Sequence, residues 1–208
     1  MTPAPHRKPV IGLVGGIGAG KSTVAAALVK HGGRVVAGDP LGHEALDDPE
    51  IRERVAGAFA GRDILGGEGK VDRKKLGRVV FPSPVERSRL EHLVHPYIEE
   101  RIRQEIDKAA ADPAVKFVIL DAAIMLEAGW NDVCDKLIFV DASRPVRLTR
   151  IQNQRGWTEA DLANREAVQM PTEKKKERAD AVIDNGGTPD ATAAQVDELI
   201  RIGFVSSK

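Results

Sequence analysis

Gly15-Gly16-Ile17-Gly18-Ala19-Gly20-Lys21-Ser22 stands between an apolar run, Val10-Ile11-Gly12-Leu13-Val14, and a helix-forming run from Thr23 to Val29. Glycine, four residues, then Gly-Lys-Ser, placed after a strand and opening a helix, is the order a phosphate-binding P-loop requires. The glycines let the backbone curl so that successive N–H groups point at one anion, and the helix N-terminus adds partial positive charge there. A nucleoside triphosphate is therefore the expected ligand. Gly16, Ile17, Gly18, Ala19, Gly20 and Thr23 should line it, with Lys21 on the β- and γ-phosphates and Ser22 on a magnesium ion.

Further apolar runs follow at Arg34–Ala37, Phe117–Leu120, Leu137–Val140 and Ala181–Ile183, with helical stretches between them. This alternation predicts an α/β fold with a parallel sheet covered by helices on both faces. Residues 38–116 separate the second and third runs, far more than a crossover needs, so an insertion is expected there. Its apolar positions Leu90, Leu93, Val94, Tyr97, Ile98, Ile102 and Ile106 recur at helical steps. Pro96 interrupts them, which predicts a kink or a restart near His95. Turns are expected at Gly66-Gly67-Glu68-Gly69 and Phe81-Pro82-Ser83-Pro84, and Asp112-Pro113 should end the last insert helix.

Lys plus Arg and Asp plus Glu both number 31, so there is no overall basic excess to bind nucleic acid. The segment Arg144 to Arg178 is the exception, with nine Lys or Arg against five Asp or Glu. In it, Thr158-Glu159-Ala160-Asp161 resembles a capping box that starts a helix after Gly156. Lys174-Lys175-Lys176 reads as a solvated run. Thr188-Pro189 should open a final helix through about Ile202. The single Cys134 suits a small buried residue in a reducing compartment. With no apolar run of about eighteen residues and a polar Met1–Lys8, a cytoplasmic, membrane-free protein is expected, with the Ser206-Ser207-Lys208 tail frayed.

Two carboxylates end apolar runs where ligands bind in such sheets, outside the carboxyl ends of the strands. Asp121 closes Phe117-Val118-Ile119-Leu120 and either supports magnesium or starts a turn. Asp39 precedes Pro40 and is either a general base for an acceptor hydroxyl or a helix N-cap followed by proline.

Together these segments resemble the dephospho-coenzyme A kinase family from about Val10 to Asn185. In order they are GGIGAGKS, Asp39 after the second strand, Val71-Asp72-Arg73, His95-Pro96, Ile124-Met125-Leu126-Glu127, Arg150 to Arg155-Gly156, Gln169 with Lys175, and Ala179-Asp180-Ala181-Val182-Ile183-Asp184-Asn185. The resemblance implies a five-stranded parallel P-loop core (9–43 and 114–208), a helical coenzyme A-binding insert (44–113) and a lid at about 144–178. It implies ATP-dependent phosphorylation of the 3′-hydroxyl of dephospho-coenzyme A with Mg²⁺, by a monomer or weak oligomer. Asp39 would be the base, Arg150 and Arg155 would belong to a mobile lid over the phosphates, and Asn185 would lie near adenine. His95 would sit at the junction of acceptor domain and core, or be only a helix-junction residue; Arg150 and Arg155 would otherwise be a solvated helix face.

Two positions depart from the family pattern. Ala37 stands where the family usually has a second Asp, and Ala123-Ile124-Met125 where it usually has Pro-Leu-Leu, which keeps an apolar acceptor wall without the proline. Another small-molecule P-loop kinase, of the nucleoside monophosphate or shikimate type, is the alternative enzyme. A GTPase switch is the alternative class: Asp39-Pro40-Leu41-Gly42 and Asp63-Ile64-Leu65-Gly66 spell Asp-x-x-Gly, but no Asn-Lys-x-Asp segment accompanies them.

Overall fold

A computed structural model describes residues 8–206; Met1–Arg7 and the Ser207-Lys208 end of the expected frayed tail lie outside the described residues. All five expected strands form: β1 (Val10–Gly15), β2 (Gly33–Ala37), β3 (Phe117–Asp121), β4 (Lys136–Asp141) and β5 (Ala181–Asp184). They make one parallel sheet in the order β2-β3-β1-β4-β5. β1 is central and fully buried, so the loop that leaves it opens between β3 and β4, where the strand order reverses.

The chain divides into two compact units, residues 1–37 with 105–208 and residues 38–104. In the first, α1 (Lys21–Val29) and α9 (Pro189–Arg201) pack together. Val24, Leu28 and Val196 share a core with Ile11, Leu13, Phe117, Ile119, Ile138, Val140 and Ile183. These strand residues alternate, as one face of a sheet must. The other helices of this unit are α6 (Arg144–Arg155), α7 (Glu159–Glu166) and α8 (Thr172–Glu177), the last packed on β1. Thr158 and Asp161 form the expected reciprocal capping box of α7, and Thr188 caps α9 by accepting from the Ala191 N–H.

The second unit holds α2 (Gly38–Asp47), α3 (Pro49–Ala58), α4 (Arg73–Val80) and α5 (Pro84–Ala111) as far as Gln104. The restart expected near His95 does not occur, because α5 runs through Pro96. A proline inside a helix costs about 3 kcal/mol or more, but Val94, Ile98, Ile102 and Ile106 are buried along one face. Each such burial contributes roughly 1.5–3 kcal/mol, so the stripe outweighs the missing bond. His95 therefore sits within one helix, half-buried, where burial lowers its pKa against the opposing effect of Glu91.

Asp72 caps α4 by accepting from the Lys74 and Lys75 N–H groups at 2.9 and 3.0 Å, and Arg73 bonds Asp47 Oδ2 at 2.9 Å. The Lys75 N–H holds the Asp72 carboxyl below its ordinary pKa, partly opposed by burial. A depressed carboxyl stabilises the fold above its unfolded value of about 3.9 and loses that contribution as pH falls through the lower folded value. Asp72→Ala should lower Tm at neutral pH, and the difference from wild type should vanish toward pH 2 in a thermal melt series. A difference constant over that range would mean that the cap acts through something other than charge.

Candidate active site

The P-loop curls because two glycines adopt backbone that other residues disfavour. Gly18 has φ 78° and Gly20 φ 87°, and a Cβ on Gly20 would lie 2.2 Å from Asn185 Nδ2. Asn185 is 3% exposed. Its amide donates to the Ala19 carbonyl at 2.7 Å and the Gly20 carbonyl at 3.4 Å, while its Oδ1 accepts from Thr192 Oγ1 at 2.7 Å. Arg150 donates to the same Ala19 carbonyl at 3.2 Å and to the Asn185 carbonyl at 2.7 Å. The loop's carbonyl side is thus bound from outside. The Ala19 N–H turns back onto the Gly16 carbonyl at 3.1 Å, and a loop curled in this way is the backbone arrangement of an anion-binding nest.

Lys21 begins α1 half-buried, and Ser22 and Thr23 follow it exposed in the first turn. Asp121 is half-buried at the end of β3, its Cα in register with Leu13 of β1 and Ala37 of β2. Ser22 hydroxyl and Asp121 carboxylate are hard oxygen donors, the chemistry Mg²⁺ prefers. Among the described residues no group of three or more His, Cys, Asp or Glu is placed to hold a metal.

The structure separates the two arginines expected together over the phosphates. Arg150 meets the P-loop, whereas Arg155 ends α6 exposed and lies 5.0 Å from the Trp157 ring centroid, with Arg165 at 4.0 Å from the same ring. Asp39 occupies the second unit and is exposed in the first turn of α2, one residue inside the helix rather than at its cap. A negative charge there is favoured by the helix dipole.

The expectation of a solvated lysine run fails at its middle residue. Lys175 is 2% exposed; its Nζ pairs with Glu127 Oε1 at 2.8 Å and reaches Gln169 Oε1 at 3.4 Å. The Met170 N–H also donates to Glu127 at 2.8 Å. Charge patterning could not single out Lys175, because α8 is too short to display an apolar stripe and its buried side faces β1. The expected apolar wall changes too. Met125 is a core residue, as is Leu126 after it, while Ala123 and Ile124 are half-exposed. Met125 lies under β1, where a Cβ on Gly12 would come 2.9 Å from its sulfur. Cys134, expected to be buried, is partly exposed beside the same sulfur at 3.8 Å.

Arg147 is a site residue that sequence reasoning missed. It is 6% exposed and donates from Nη1 to the Ile17 carbonyl at 3.0 Å, from Nε to the Ala142 carbonyl at 3.2 Å, and to Glu166 at 2.5 Å. Beside it a cleft of about 290 Å³ is lined by Gly16, Asp141, Arg144, Arg147, Thr172 and Glu173 among others. The one sequence signal for Arg147 was its place on the same basic helix as Arg150.

A family model for dephospho-CoA kinase matches residues 9–190. The chain belongs to the dephospho-CoA kinase family. It is 39% identical to a dephospho-CoA kinase of Geobacter metallireducens, over 90% of this chain and 92% of that one. A dephospho-CoA kinase of Streptomyces avermitilis is 41% identical over 84% of each chain. Among solved structures, a Thermus thermophilus protein superposes with a TM-score of 0.80 at 30% identity, covering 94% of this chain and 98% of that one. A shikimate kinase of Acinetobacter baumannii, with a TM-score of 0.53 at 15% identity, shares the fold. Ala37 is the cross-strand partner of Asp121, so Asp121 is the carboxylate at this pair of positions.

Proposed function

We propose that this protein transfers the γ-phosphoryl group of ATP to the ribose 3′-hydroxyl of dephospho-coenzyme A, giving coenzyme A and ADP in the last step of coenzyme A biosynthesis. The observation that carries this is the P-loop, bound along its carbonyl side by Arg147, Arg150 and Asn185, in a chain matched by the family over residues 9–190. As the 3′-oxygen bonds to the γ-phosphorus, the bond to the β-phosphate oxygen breaks and the hydroxyl proton passes to Asp39. Lys21 and the loop N–H groups stabilise charge on the phosphate oxygens, where preorganised donors count most. Ser22 and Asp121 would hold Mg²⁺, which neutralises phosphate charge when bound. Arg155 would approach the phosphates from the lid, and Asn185 would border the adenine while fixing the loop. The helical segment 44–113 would hold the pantetheine arm, so that remote binding orients one hydroxyl.

No helix among the described residues is long and apolar enough to cross a membrane. A monomer or weak oligomer in the cytoplasm, acting on small molecules without nucleic acid, is the setting this reading assigns. The test is incubation with MgATP and dephospho-coenzyme A, followed by mass analysis of the product. The expected result is a phosphate added at the 3′ position, no reaction with a 3′-deoxy analogue, poor reaction with adenosine, and loss of turnover in excess chelator. Equal efficiency with adenosine, a nucleoside monophosphate or shikimate would move the protein to another kinase specificity. Full turnover in chelator would remove the metal from the mechanism.

A further inference from the structure

Gly16 and Gly18 occupy positions that the P-loop signature leaves open, yet a side chain would be crowded at the first and would clash at the second. A Cβ on Gly16 would lie 3.0 Å from Arg147 Cζ, and one on Gly18 would lie 2.8 Å from both the Arg147 carbonyl oxygen and Ile151 Cγ1. Helix α6 therefore presses directly on the outer side of the loop. In a trans peptide the C=O and N–H groups point to opposite sides, and no peptide among the described residues is cis. The guanidinium that holds the Ile17 carbonyl on the outer side thereby turns the Gly18 N–H toward the inner, anion-binding side.

We propose that Arg147 is a positioning residue for the nucleotide phosphates: it presets the Ile17–Gly18 peptide, and its bond to Glu166 makes that setting depend on α7 being docked. It acts through the loop backbone and not on substrate. Its two Nη1 hydrogens serve the P-loop and α7 while Nε holds the Ala142 carbonyl after β4. Arginine suits this position because one rigid plane carries donors in several fixed directions, which an ammonium on a flexible stem does not. Glu166 supplies the partner a buried guanidinium needs. Arg144 also pairs with Glu166, at 3.4 Å, and with Glu159 at 2.7 Å, so α7 is fastened at two points.

The inference rests on the ATP reading above, and its test keeps the two distinguishable. Titration calorimetry on the full chain with MgATP, with tripolyphosphate and with dephospho-coenzyme A compares wild type with Arg147→Met, Arg147→Lys and Glu166→Gln. Arg147→Met should weaken MgATP and tripolyphosphate about tenfold, the size of one charge-assisted hydrogen bond, and change dephospho-coenzyme A less than about twofold. Arg147→Lys should recover part of the loss. Since Arg147→Met strands Glu166 and lowers stability, Glu166→Gln is the variant that decides if the first does not fold. It keeps a neutral acceptor and should weaken MgATP by about threefold, because a neutral bond is roughly half as strong as a charged one. Wild-type affinity for MgATP and tripolyphosphate in the folded variants would overturn the proposal, as would equal weakening of both substrates. A wild-type protein that binds no MgATP would overturn the function reading, and this inference with it.

Discussion

Lys21→Ala is expected to lower turnover at least about a hundredfold, the range seen when one preorganised donor is removed from developing charge. Lys21 is the first residue of α1 and half-buried, whereas the core of that helix is Val24, Ala25, Ala27 and Leu28. Alanine is the best helix former, so the fold should be kept. Loss of activity without loss of Tm is the signature of a residue acting on phosphates. Steady-state kinetics with a thermal melt decides the matter, and near-normal turnover in the variant would remove Lys21 from the phosphate site.

The second large effect concerns Asp39. Asp39→Asn should reduce kcat by about 10²–10⁴, the usual contribution of a general base, with ATP affinity kept. Read from the sequence, base and cap are equal alternatives for Asp39. Asp39 lies in the first turn of α2, where asparagine removes a charge that the helix dipole favours. Tm should stay within about 2 °C, as for most exposed substitutions. If kcat survives while Tm falls well beyond that, Asp39 is a structural residue of α2 and the proton is taken by another group.

The strands were legible because each carries a short apolar run closed by a turn, and the inner strands β1, β3 and β4 are buried over nearly their whole length. The insertion was legible as distance along the chain between β2 and β3. Pro96 misled because a local cost was visible and the buried stripe that outweighs it was not assigned a partner. Lys175 misled for the opposite reason, since three consecutive lysines look alike until a neighbour is known. In the structure Lys174 stays exposed, Lys175 is buried against Glu127, and Lys176 pairs with Asp141 at 2.8 Å.

The sequence by itself determined the phosphate loop, because Gly15 to Ser22 is one local turn whose geometry is written in adjacent residues, and it determined the α/β sheet for the same reason of local pattern. Only the tertiary structure decided what holds that loop open. Arg147 reaches Ile17 across 130 positions of chain, and Asn185 reaches Ala19 across 166. Such partners are chosen by where α6 and the end of β5 come to rest beside β1, and no spacing within the sequence encodes a contact between side chain and backbone made at that distance.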